Sequence, residues 1–125
     1  MYIYIYIYIA PEAFSPNYIY GPFTDVFAIG CALHILVTGS PPWPDKQYNE
    51  PHCKTKLPEN RIIDLQTRSK RISQECIEII NAMLHHDYEK RISLAEIKKH
   101  PWFTDQSTHK NNNLNLLNYC LLILL

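Results

Sequence analysis

The chain has 125 residues, with twelve basic and twelve acidic side chains and a formal net charge of zero. That length holds one domain, and the charge balance argues against binding nucleic acid or a membrane surface through electrostatics. Hydrophobic residues make up 46% of the chain, but they are unevenly placed, with extreme ends and an ordinary middle over residues 10–103.

Tyr2 to Ile9 are four Tyr-Ile dipeptides. A half-buried strand alternates apolar with polar residues, whereas here both faces would be bulky and apolar. A tract of TA dinucleotides translates as Tyr-Ile indefinitely, so residues 1–9 are read as a translated low-complexity repeat. With high β-propensity, no charge and no proline, the segment is an aggregation hazard. No basic n-region or small-residue cleavage site follows Met1, so no secretory signal is expected.

Ala10-Pro11-Glu12 comes next. Pro11 suits the first turn of a short helix, and Glu12 is favoured near its positive end. Residues 15–22 carry Pro, Asn and Gly and are expected to form a loop.

The stretch Asp25 to Gly39 reads as one buried helix. Thr24 or Asp25 supplies the N-cap oxygen, Gly39 the left-handed position after the helix, and Pro41-Pro42 stops continuation. Between the caps only His34 is polar on an otherwise apolar surface. A helix apolar all round is a membrane span or the axis of a core. Spanning needs roughly 20 apolar residues, so this helix is expected to be a core axis that the rest of the chain covers.

Ser40-Pro41-Pro42-Trp43-Pro44 is a stiff turn with one large apolar anchor, expected to pack because exposed Trp is costly. Residues 45–71 are polar with scattered apolar positions, which predicts a short helix and long loops with a solvated surface. Ser73 opens the next helix, with Ile72 and Ile77 at hydrophobic-staple spacing. Cys76, Ile77, Ile80, Met83 and Leu84 share its apolar face. The adjacent His85 and His86 cannot share a helical face, and a metal site is not expected there. Ser93-Leu94-Ala95-Glu96 is a capping box, with Ile92 and Ile97 as a second staple. That helix is expected to stop at His100-Pro101, with Trp102 and Phe103 packing after it. Residues 104–125 turn to Asn and Leu and are expected to be a disordered or sticky tail, too short in its apolar run to span a membrane. The four cysteines, Cys31, Cys53, Cys76 and Cys120, form no C-x-x-C pair. Free buried thiols at Cys31 and Cys76 fit a reducing, cytoplasmic compartment.

Four landmarks occur in a fixed order. They are Tyr8-Ile9-Ala10-Pro11-Glu12; Asp25-Val26-Phe27-Ala28-Ile29-Gly30 with Gly39-Ser40-Pro41-Pro42-Trp43; Met83 through Ser93; and His100-Pro101-Trp102-Phe103. Together they resemble the C-terminal half of the eukaryotic protein kinase domain, from the end of the activation segment to the close of the domain, over residues 10–103. The fold this implies is mainly α: a partial C-lobe, with helices around one buried central helix. Asn49 to Lys54 and the closing His-Pro-Trp-Phe are similar to serine/threonine kinases of the calmodulin-dependent type.

The resemblance implies roles for particular residues. Glu12 matches the Glu of the A-P-E motif and Arg91 its buried ion-pair partner. Asp25 matches the Asp that holds the catalytic loop, and Gly30 the small residue that permits close packing. Phe27 stands where the family usually has Trp. Tyr8 and Trp43 are the candidate docking residues for a protein substrate or a partner kinase. The family activity is phosphoryl transfer from Mg-ATP to protein Ser or Thr. That chemistry uses a Gly-rich loop, a strand Lys with its Glu, a catalytic Asp and Asn, and the D-F-G Asp for Mg²⁺. None of these motifs occurs in the 125 residues, and the family's Gly and Thr before the motif Tyr would fall at Tyr4 and Ile5. The chain is therefore expected to be a truncated kinase piece with no catalytic, cofactor or metal residue of its own. Helices that cover the central helix in the family are also missing, so a molten or oligomeric product is expected. The alternative is a non-catalytic module, derived from a kinase C-lobe, that binds proteins. A non-kinase helical protein would leave the ordered landmarks unexplained.

Overall fold

A computed structural model describes residues 7–18, 20–43 and 72–104. Most of the Tyr-Ile repeat, the expected loops of residues 45–71, Cys53, Cys120 and the tail beyond Thr104 lie outside the described residues. Among the described residues the fold is helical, without strands. A 3₁₀ turn, Pro11–Phe14, precedes the central helix α1, Pro22–Thr38. Then come α2, Gln74–Met83, and two short helices, α3, Leu94–Lys99, and α4, Pro101–Thr104.

α1 begins earlier than its expected cap. Gly21 is the N-cap residue and Pro22 stands in the first turn, with no side-chain cap bond. Pro suits that place because it has no N–H to leave unsatisfied. The Thr24 N–H is met by the Gly21 carbonyl at 2.9 Å. Thr24 and Asp25 therefore lie inside the helix, and their side chains serve other contacts. At the far end Gly39 has φ 74° and its N–H reaches the Ile35 carbonyl at 2.8 Å. Only glycine takes that left-handed conformation without strain.

Helix propensity does not account for α1, since Val26, Gly30, Val37 and Thr38 each cost a few tenths to about 1 kcal/mol against Ala. Burial does. Val26, Phe27 and Leu33 are fully buried, and each such side chain contributes roughly 1.5–3 kcal/mol. Their partners come mainly from α2, where Cys76, Ile77, Ile80, Met83 and Leu84 are buried as expected and Ile79 is buried as well.

Gly30 sets how closely α1 and α2 approach. A Cβ there would stand 2.7 Å from Met83 Cβ and 3.0 Å from Leu84 Cδ2. Ile97 of α3 and Trp102 of α4 close the same core. The core also reaches back to Ile7, a residue of the repeat.

The burial of α1 is one-sided. Val26, Phe27, Gly30, Cys31, Leu33 and His34 face the core. Asp25 is exposed, Ala28, Ile29, Ala32 and Ile35 are half-buried, and Leu36 is 60% exposed. α1 is thus the core axis on one side, while this stripe stays partly open. His34, the one polar residue on the buried side, donates from Nδ1 to the Ser40 carbonyl at 2.8 Å. That bond holds the turn leading to Trp43.

The caps of α2 and α3 follow the sequence. Ser73 Oγ accepts the Cys76 N–H at 3.2 Å. At α3, Ser93 Oγ accepts the Glu96 N–H at 3.3 Å, and Glu96 accepts the Ser93 N–H at 2.9 Å. The four-residue turn α4 was not expected as a helix. Pro101 opens it, and Phe103 N–H bonds to the His100 carbonyl at 2.9 Å.

Candidate functional site

The site is the junction at Arg91, where three distant parts of the chain meet. Glu12 comes from the 3₁₀ turn, Phe23 and Phe27 from α1, and Arg91 from the segment between α2 and α3. The Arg91 side chain is 0% exposed and that of Glu12 7%. Two charges buried this deeply persist only if their polar atoms are met.

Arg91 meets the requirement by using every N–H it has. Nη1 donates to Glu12 Oε1 at 2.7 Å and to the Phe23 carbonyl at 2.7 Å. Nη2 donates to Glu12 Oε2 at 2.9 Å and to the His86 carbonyl at 3.5 Å. Nε donates to the His85 carbonyl at 2.9 Å. The two parallel bonds to Glu12 are the fork geometry that guanidinium and carboxylate share, which a lysine could not reproduce. Thr24 Oγ1 adds a long bond to Glu12 Oε1 at 3.5 Å and accepts from Tyr18 OH at 3.2 Å.

The guanidinium also lies over an aromatic ring, with Arg91 Cζ 4.9 Å from the Phe27 centroid. The Phe27 ring stacks with Trp43 at 5.7 Å and 16°. Phe27 thus links the ion pair to the turn after α1.

The remaining sequence-picked residues are placed as follows. Gly30 lies at the α1–α2 contact. Asp25 is exposed and accepts a hydrogen bond from Tyr20 OH. That bond raises the Tyr20 phenol above its ordinary value, since it and the nearby carboxylate both favour the neutral form. Of the two candidate docking residues, Tyr8 is 40% exposed and Trp43 only 1%, so the Trp43 indole faces the core. Glu12 and Arg91 are brought together, whereas Asp25, Gly30 and Tyr8 are not part of their junction.

Sequence reasoning missed the carbonyl cage around Arg91. Phe23, His85 and His86 contribute main-chain oxygens, which no side-chain identity announces. The rings of His85 and His86 stack at 5.3 Å, because the chain has left the helix by then. Among the described residues no group of three His, Cys, Asp or Glu is placed to hold a metal ion. Also among them, no helix is long and apolar enough to cross a membrane.

Comparison with known proteins gives this junction a context. The family model described as protein kinase domain matches residues 2–103. Serine/threonine-protein kinase cds1 of Schizosaccharomyces pombe is 31% identical over 109 residues, covering 83% of this chain and 23% of its own length. SNF-related serine/threonine-protein kinase of Homo sapiens is 31% identical over 119 residues, covering 90% of this chain and 14% of its own. Calcium-dependent protein kinase 29 of Arabidopsis thaliana is 38% identical over 102 residues, covering 78% of this chain and 18% of its own. The chain belongs to the protein kinase family, and the first two of these relatives are serine/threonine-protein kinases. It spans between 14% and 23% of the length of these three relatives.

Proposed function

We propose that this chain is the C-lobe portion of a serine/threonine protein kinase, and that its 125 residues alone do not transfer phosphate. The parent activity is phosphoryl transfer from Mg-ATP to Ser or Thr of a protein substrate. The observation that carries the reading is the buried, bidentate Glu12–Arg91 pair, which joins residues 79 positions apart. In the family such a pair ties the activation segment to the lobe. We assign Glu12 and Arg91 that role, Asp25 the role of a hydrogen-bond anchor at the head of α1, and Gly30 that of the close-packing residue.

Phosphoryl transfer depends on positioning and on stabilising charge. ATP and Mg²⁺ belong to the family chemistry, and the motifs that hold them there do not occur in the 125 residues. Purified chain incubated with Mg-ATP and a protein substrate is expected to incorporate no phosphate. Mg²⁺-dependent incorporation would overturn the reading. Sequencing the transcript through Met1 tests the parent directly. A frame continuing upstream into Asp-Phe-Gly and a Gly-rich loop makes this the back portion of a working kinase.

A second reading is a non-catalytic module that binds a kinase or a kinase substrate. Exposed Tyr8 and Leu36 favour it, while Trp43 could act there only by shaping the loop it anchors. A soluble monomer that binds a purified serine/threonine kinase in calorimetry would support this reading, and an absence of heat would remove it. A free thiol at Cys76 fits the cytoplasm as its compartment.

A further inference from the structure

We draw no further inference here: the strongest candidate, the outer stripe of α1 formed by half-buried Ile29 and Ala32 and exposed Leu36, is an apolar face, and nothing in the structure shows what covers it.

Discussion

Arg91 is the residue whose loss should matter most. Its guanidinium is buried with five donors engaged, so truncation strands the Glu12 carboxylate and three carbonyls. Breaking such a pair from one side costs about 3–5 kcal/mol. Arg91→Ala and Glu12→Ala are each expected to lower stability by that amount in urea unfolding followed by Trp fluorescence. The double variant should cost less than the two added, because each single change already includes the stranded partner. Losses under about 1 kcal/mol, the scale of a surface pair, would mean the charges are solvated. Gly30 gives a second test with opposing effects. Gly30→Ala gains about 1 kcal/mol of helix propensity. The added methyl meets Met83 Cβ, which cannot swing aside, and overpacking costs about 1–3 kcal/mol. The variant is expected to be less stable than wild type, and a raised thermal midpoint would show that the two helices separate easily.

At the scale of elements, α3 depends on its cap and α2 on its burial. The Ser93 N–H, and then its hydroxyl, hold Glu96 below the usual carboxylate range. A carboxyl lowered on folding stabilises the fold above its unfolded value, near about 4.3. That contribution is lost as pH falls through the lower folded value. Glu96→Gln keeps an acceptor for the box but loses the charge. Its thermal midpoint should lie below wild type at pH 7, with the gap closing in acid. A gap that persists unchanged in acid would rule out the charge as its cause.

In α2, burial first and then Glu75 push the Cys76 thiol up to about 12. The folded state therefore holds its proton where an unfolded thiol, near about 8.5, has lost it. Stability should fall as pH rises through that window. At pH 8, iodoacetamide labelling read by peptide mass should leave Cys76 unmodified until the chain unfolds. Rapid labelling in the folded state would show that α2 opens readily.

For the whole molecule the one-sided burial of α1 decides behaviour. An apolar stripe ending in a 60% exposed Leu36 invites association. Light scattering of the purified chain is expected to report oligomers, and Leu36→Lys to shift the distribution toward monomer. Because the side chain is exposed, stability should change by less than about 0.5 kcal/mol. A wild-type chain that stays monomeric would contradict the expectation.

The sequence by itself determined α2, α3 and their caps, the C-terminal stop of α1 and the family. Ser73, Ser93 with Glu96, and Gly39 act within one turn of themselves, so short-range spacing suffices to read them. The resemblance to the kinase family implied the pairing of Glu12 with Arg91, and the fold brings the two together. The start of α1 was misplaced because Pro22 prefers the first turn and needs no side-chain cap. Only the tertiary structure decided which side of α1 is covered, since an all-apolar helix carries no periodicity to point its face. It also decided that Ile7, inside a repeat without local logic, joins the core, and that Trp43 turns inward onto Phe27. Main-chain carbonyls completed the Arg91 cage for the same reason: every residue has one, and only the folded path of the chain selects which ones converge.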